Sequence, residues 1–302
     1  MKHATVTVGI PAYNEAENIG ALLRDLLRQS AEEFSLEKIL VYSDGSTDRT
    51  NEIVRSLRDA RVELIEGPGR QGLACGQNVI LERTKSDVLV LVNADMRIDD
   101  DRFLEKLTRP IREGKAELTS SDLRPMSARG RFERILETGF LLKNTLFESI
   151  RGGKTIYTCH GACRAFSRRF FAQFRFTQSV GEDAYSYLSC IARNFRYAYV
   201  KDAVLFLRVP ATSADNDKQS FRFSRGKETL MKEFPKELVE QEMYIPVSAF
   251  FRGALSASPL LFRHPIRSIS YMIVVVTTRI RSFFAPAPEE LWDVSTTSKR
   301  LR

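Results

Sequence analysis

The chain has 302 residues, 43% hydrophobic and 28% charged, enough to bury a large core and too apolar for a disordered protein. Its 46 Lys and Arg against 38 Asp and Glu leave a net charge of +8, which favours nucleic acid, phosphorylated ligands or an acidic lipid surface as partners. Four cysteines are too few for a disulfide scaffold, and the opening MKHATVTVGIPAYNE lacks the apolar run of a secretory signal, so a reduced, cytoplasmic protein is expected.

Over the first 120 residues short apolar runs alternate with amphipathic ones, which predicts an α/β fold: βαβ units around a largely parallel, Rossmann-like sheet flanked by helices. Strands are expected at Thr5–Ile10, Lys38–Tyr42, Val62–Glu66, Val88–Val92 and Ala116–Ser120. Helices are expected at Glu17–Leu27, Thr47–Leu57, Leu73–Arg83 and Arg102–Glu113, with Ser46 and Asp101 as N-caps. Beyond residue 122 the alternation loosens: a helix over Arg131–Ser149, a short strand near Thr155–Thr158, and a helix through GEDAYSYLSCIARNF. Residues 210–227 read as a polar loop feeding a helix.

In the C-terminal third, Ile266, Ile269, Ile273, Val276, Ile280 and Phe283 recur at helical spacing, and Pro246–Phe262 shows a looser version. Two readings fit. Both helices pack on the rest of the chain, or both lie in a membrane interface where apolar burial and attraction to anionic lipid add together. Arg252, Arg263, Arg267 and Arg279 cut the apolar stretches short, so no membrane crossing is expected.

In a parallel sheet, ligands bind beyond the carboxyl ends of the strands. Those ends lead into PAYNE, SDGSTD, EGPGRQG and NADMRID. Gly45 and Ser46 suit a capped turn, while Asp44 is equally suited to hydrogen-bonding a base or a sugar hydroxyl. Asp95 is a candidate ligand for Mg2+ or Mn2+, hard ions that take one or two carboxylates and leave their other positions to water and substrate phosphate. Glu182 and Asp183 open a helix, where one caps and the other is a candidate general base. KQSFRFSRGK is a solvated basic face, a source of guanidinium groups for a diphosphate, or a nucleic-acid contact. Cys159 and Cys163 flank His160, but no second ligand pair follows at a zinc-like spacing, and buried thiols are expected.

In this order PAYNE, SDGSTD, NAD, HGACRAFSRR, GED and QSFRFSRG resemble family 2 glycosyltransferases, inverting enzymes with the GT-A nucleotide-diphospho-sugar transferase fold. The likeness runs from about Val6 to Gly226. It implies that Pro11, Ala12, Tyr13 and Glu15 line the nucleotide pocket, that Asp44 contacts the base, and that Arg70, Asn93 and Ala94 also bind the nucleotide-sugar. It makes Asp95 the last acid of a D-x-D motif and the metal ligand, Asp183 the catalytic base and Glu182 its partner. Gly161 and Ala162 would lie by the acceptor, and Gln219, Arg222 and Phe223 would form a variant Q-x-x-R-W motif at the acceptor or diphosphate. Three residues depart from the family pattern. Asn93 replaces the first acid of D-x-D, Leu73 stands where many members carry lysine, and Phe223 replaces tryptophan.

The resemblance therefore implies a glycosyltransferase that uses Mn2+ or Mg2+ to move a sugar from a nucleoside diphosphate, with UDP expected. The acceptor would be a lipid-linked saccharide or surface polysaccharide at the inner face of the cell membrane, with an anionic membrane surface as partner. The implied catalytic domain is 1–230, with a nucleotide-sugar half at 1–120 and an acceptor half at 121–230, followed by C-terminal helices and tail at 231–302. The alternative is a catalytically silent nucleotide-sugar-binding or scaffold protein of the same fold. A dinucleotide-dependent oxidoreductase is disfavoured because GIPAYNE lacks G-x-G-x-x-G. Nucleic acid is not expected as a partner, since the basic residues are dispersed and no recognition module is present.

Overall fold

The computed structural model describes residues 3–177 and 181–284, without the side chains of 222–226. Strands β1 (Ala4–Ala12) and β4 (Val88–Val92) are buried on both faces, as continuous apolar runs in a covered parallel sheet require. β1 pairs in parallel with β2 (Phe34–Ser43) on one side and β4 on the other, and β2 pairs in parallel with β3 (Val62–Glu66). Beyond β4 lie β5 (Leu118–Pro125), β6 (Cys163–Ser167) and β7 (Tyr197–Leu207), giving a seven-stranded sheet in the order β3-β2-β1-β4-β6-β5-β7. Only β6 runs antiparallel to its neighbours.

One core packs Val6, Val8 and Ile10 with Leu22, Leu23 and Leu26 of α1 (Ile19–Leu27) and Phe103, Leu104 and Leu107 of α4 (Phe103–Arg112). A second packs Leu40, Leu89 and Leu91 with Ile80 of α3 (Leu73–Arg83), Phe170 of α6 (Arg168–Phe171) and Tyr187 of α7 (Glu182–Ala192). Chain order reverses between β1 and β4, so the crevice at the sheet's carboxyl rim opens beside the ends of β1, β2 and β4.

Several local expectations need correction. The α2 helix (Thr50–Ser56) is capped by Asp48, which accepts from the Thr50 amide at 3.0 Å; Ser46 instead accepts from the Asn14 amide at 3.1 Å. Likewise Asp100, not Asp101, takes the Arg102 amide before α4, while Asp101 pairs with Arg28 at 2.9 Å. In the first turn the capping acid lies two residues nearer the helix than expected, and in the second one residue farther from it. Residues 155–158 form a single 3-10 turn, Ile156–Thr158, rather than a strand, because the Thr158 hydroxyl folds back onto the Thr155 and Gly153 carbonyls. The polar segment after β7 is helical already from Ser213: Thr212 accepts from the Asp215 amide at 3.2 Å and starts α8 (Ser213–Glu233).

Helix α5 (Arg131–Ser149) matches its expected bounds and carries α10 (Val247–Arg263) and α11 (Pro265–Phe284), which follow α9 (Lys236–Met243). The contacts are close because the facing residues are small. Gly253 of α10 lies against Leu146, and a Cβ on Gly139 would sit 2.1 Å from the Tyr271 ring of α11. The stretch Lys236–Arg263 is long and apolar enough to cross a membrane by length and composition alone, contrary to expectation, because Arg252 is the one charge between Tyr244 and Phe262.

Gly139→Ala is expected to destabilise the protein by about 1–3 kcal/mol through overpacking, seen as a lower thermal unfolding midpoint. An unchanged midpoint would show that α11 does not seat on α5 this closely.

Candidate active site

The PAYNE and SDGSTD segments form one interlocked rim. Asn14 adopts a left-handed conformation (φ 52°), and its side-chain oxygen accepts from the Thr47 amide at 2.8 Å. The Glu15 amide donates to the Thr50 hydroxyl at 2.8 Å and the Ala16 amide to Asp48 at 3.0 Å. Burial pushes the Asp48 carboxyl up, but hydrogen bonds from Thr50 and from backbone amides outweigh it and hold the group below its ordinary value. The Glu15 carboxylate is buried and accepts from the Asn18 side chain at 2.9 Å, so much of its role is to fix the β1–α1 turn. Pro11 and Ala12 end β1, with Pro11 opposite Tyr42 and Ala12 opposite Ser43 of β2.

Asp44 is buried, and its two oxygens accept the amides of Gln71 and Gly72 at 2.7 and 2.9 Å. This is a structural use that the sequence reading did not foresee. Each carboxylate oxygen keeps a second lone pair, so a base N–H can still be accepted. Gly45 explains the turn beside it: φ is +71°, and a Cβ would lie 2.8 Å from the Gly69 carbonyl carbon. The close approach brings in Arg70, whose guanidinium lies 4.4 Å from the Tyr13 ring centroid. PAYNE, SDGSTD and GPGRQG thus meet along one rim.

Asn93, Ala94 and Asp95 form the turn leaving β4, with Asn93 and Asp95 half-buried and Ala94 buried. The Asn93 amide donates to the Ala162 carbonyl at 2.9 Å, which fastens this turn to the HGA loop. Gly161 in turn packs on the acid pair: a Cβ there would meet Glu182 Oε1 at 3.0 Å and Asp183 Cβ at 3.7 Å. The turn carrying Asp95 and the start of α7 are therefore linked through two adjacent residues. The two acids that follow NADMRID are structural, with Asp100 paired to Lys106 at 2.6 Å and Asp101 to Arg28.

Among the described residues no three His, Cys, Asp or Glu side chains cluster to cage an ion. A half-buried Asp95 at the rim fits a divalent ion shared with substrate phosphates, as the chemistry of Mg2+ and Mn2+ allows. Cys159 and Cys163 are buried thiols, and burial pushes Cys159 up to about 12, so it is a protonated core residue at neutral pH. His160 is pushed down to about 4 by burial, with the Lys143 ammonium adding to the shift, so it stands neutral beside Gly161 at neutral pH.

Sequence reasoning missed Arg164. It lies on β6 fully buried, and its Nη1 donates to the Glu182 carbonyl and the Ser186 hydroxyl, each at 2.7 Å. Its Nε and Nη2 have no hydrogen-bond partner, and its guanidinium carbon lies 5.5 Å from the Phe176 ring centroid. The signal was a lone charge inside the apolar strand ACRAF. On α8 Gln219 is half-buried, and the side chains of Arg222 and Phe223 lie outside the described residues.

A mostly parallel seven-stranded sheet with one inserted antiparallel strand, helices on both faces and acids at its carboxyl rim defines an α/β fold of the GT-A type. The profile described as Glycosyl transferase family 2 matches residues 7–175, more than half of the chain, and the chain belongs to that family. The fold resembles the mannosyltransferase PcManGT from Pyrobaculum calidifontis, solved with GDP-Man and Mn2+, with a TM-score of 0.63 at 18% identity over 95% of this chain and 82% of that one. Glucosyl-3-phosphoglycerate synthase from Mycobacterium tuberculosis, solved with Mn2+, UDP and glucosyl-3-phosphoglycerate, gives 0.56 at 18% identity over 76% and 79%. An uncharacterized glycosyltransferase of Haemophilus influenzae is 30% identical over 109 residues, 35% of this chain and 42% of that protein. Glycosyltransferase AglE of Haloferax volcanii is 34% identical over 92 residues, 30% of each chain. The matches span less than half the length of these two relatives.

If Arg164 positions α7, Arg164→Met is expected to cut turnover about tenfold or more, while the thermal midpoint holds or rises because two unpartnered buried nitrogens are removed. Full activity in this variant would restrict Arg164 to packing.

Proposed function

We propose that the protein is a metal-dependent inverting glycosyltransferase that moves a sugar from a nucleoside diphosphate to an acceptor hydroxyl. The observation that carries the reading is the short link from the Asp95 turn through Asn93, Ala162 and Gly161 to Asp183. It joins a diphosphate-side acid to an acceptor-side acid across one rim, the arrangement that a single in-line displacement needs.

In this reading the rim formed by Tyr13, Asp44 and Arg70 takes the nucleotide, with Asp44 as acceptor for the base and Arg70 as the nearby cation. Asn93 hydrogen-bonds a ribose hydroxyl. Asp95 holds Mn2+ or Mg2+, whose charge, when bound, neutralises the diphosphate leaving group. Asp183 takes the proton of the acceptor hydroxyl as that oxygen attacks the anomeric carbon on the face opposite the diphosphate, so the configuration inverts. Arg164 and Gly161 set the position of Asp183 from below and beside it. Gln219, Arg222 and Phe223 serve the acceptor or the departing diphosphate.

The donor base is taken to be uracil. UDP accompanies the mycobacterial synthase, while GDP-Man accompanies the archaeal mannosyltransferase, so guanine is the direct competitor. The acceptor is taken to be a lipid-linked saccharide or surface polysaccharide at the cytoplasmic membrane face, served by a catalytic unit over 1–230 and C-terminal helices over 231–302.

Thermal-shift titration of UDP and GDP with and without Mn2+ is expected to show Mn2+-dependent stabilisation by UDP, abolished in Asp95→Ala and only weakened in Asn93→Ala. Stabilisation by GDP alone would reassign the base. Asp183→Asn is expected to lower turnover of UDP-sugar by about 10²–10⁴-fold with nucleotide binding intact. Unchanged turnover in that variant would remove Asp183 as base, and nucleotide binding without any turnover in the wild type would favour the silent binding protein.

A further inference from the structure

Helices α10 and α11 are amphipathic in the reverse of the usual sense. The residues they bury against the body of the protein are small or polar: Ala249, Gly253 and Ala257 on α10, Ser268 and Thr278 on α11. Their outward faces carry large apolar side chains: Phe251, Leu255, Phe262, Ile266, Ile269 and Ile273 are between 59% and 83% exposed. Outward faces of this kind are costly in water and mark a contact with another apolar phase.

Charge selects among the phases. From Tyr244 to Phe284 the sequence holds five arginines (Arg252, Arg263, Arg267, Arg279 and Arg281) and no aspartate or glutamate. Two copies of such a face would repel, whereas an anionic surface would be attracted. At the junction of the helices Arg263, His264 and Arg267 fall within five residues of one another, which concentrates positive charge at that end of the apolar face.

We propose that α10 and α11 dock in the plane of an anionic lipid bilayer, their apolar faces among the acyl chains and Arg263, Arg267 and Arg279 at the headgroups. The inference deepens the membrane-face acceptor reading, on which it rests for its purpose. The apolar length of Lys236–Arg263 does not make α10 a spanning helix here. Ser149 donates to the Ala249 carbonyl at 2.7 Å, Arg252 donates to the Ser149 carbonyl at 3.2 Å, and Gly253 packs on Leu146, so α10 is held along α5. Lying in the interface satisfies the outer face without breaking these contacts.

Co-flotation of the full chain with vesicles tests this. Binding is expected to vesicles of phosphatidylcholine with phosphatidylglycerol, weaker binding to phosphatidylcholine alone, and a fall of at least about tenfold in Ile269→Gln/Ile273→Gln. The double variant should keep its thermal midpoint and donor hydrolysis, since both side chains point away from the body of the protein. Asp183→Asn should float like the wild type, which separates failure of docking from failure of the reaction reading. No flotation of the wild type with anionic vesicles would overturn the proposal. So would sedimentation as a dimer that the double variant converts to monomer without any lipid binding.

Discussion

The antiparallel insertion of β6 between β4 and β5 is the constraint on which the site depends. Every other strand delivers its carboxyl end to the functional rim. A parallel β6 would have delivered its far end there, with Ser167 and the arginines that follow. Running the other way, it places its amino end, Cys163 preceded by Gly161 and Ala162, opposite Val92 and the turn that carries Asp95. One backbone hydrogen bond, from the Asn93 amide to the Ala162 carbonyl, continues this ladder by one step beyond the strands. The Asp95 turn and the HGA loop are thereby joined through backbone, which changes little with side-chain substitution.

The same strand supplies the internal support for the acid pair. Arg164 sits opposite Leu91 of β4 and reaches across to the first turn of α7, where it satisfies the Glu182 carbonyl and the Ser186 hydroxyl. A buried guanidinium with two nitrogens lacking hydrogen-bond partners is an expensive way to hold a helix, and contact with Phe166 and Phe176 offsets only part of the cost. Cores usually avoid this. Its place beneath Glu182 and Asp183 is the physical reason to tie it to the chemistry of that turn.

The sheet was legible in the sequence wherever one period dominated. β3, β4, α3 and α5 fall at their expected bounds because VELIE and VLVLV are short apolar runs between turn formers, and the helices keep an apolar stripe over at least 11 residues. β6 and β7 were not anticipated. CRAFS interrupts its apolar run with Arg164, and YAYVKDAVLFL mixes buried and exposed residues as it crosses the edge of the sheet. For the site, the residue types were readable but their partners were not: nothing local to SDGSTD shows that Asp44 binds the amides of Gln71 and Gly72 across the rim. The C-terminal helices were read with two competing environments. The structure shows packing on α5 by small residues and leaves the large apolar residues outward, a division that periodicity alone cannot orient.

That division ties the outward apolar surface of α10 and α11 to the neighbourhood of the candidate site. Thr278 and Arg281 of α11 bind Asp217 of α8 at 2.6 and 2.7 Å, and Arg281 also reaches Ser213, so α11 holds the first turns of the helix that carries Gln219. At the other end Glu242 of α9 accepts both terminal nitrogens of Arg151 and the Tyr187 hydroxyl of α7, at 2.7 to 3.0 Å. Glu242 is almost fully buried, so these bonds lie in a low-dielectric setting where geometry is strongly fixed. Helices on both sides of the acid pair's neighbourhood are thus fastened to the segment that begins after residue 233. Residues 236–284 are tied to α8 through Asp217 and to α7 through Glu242.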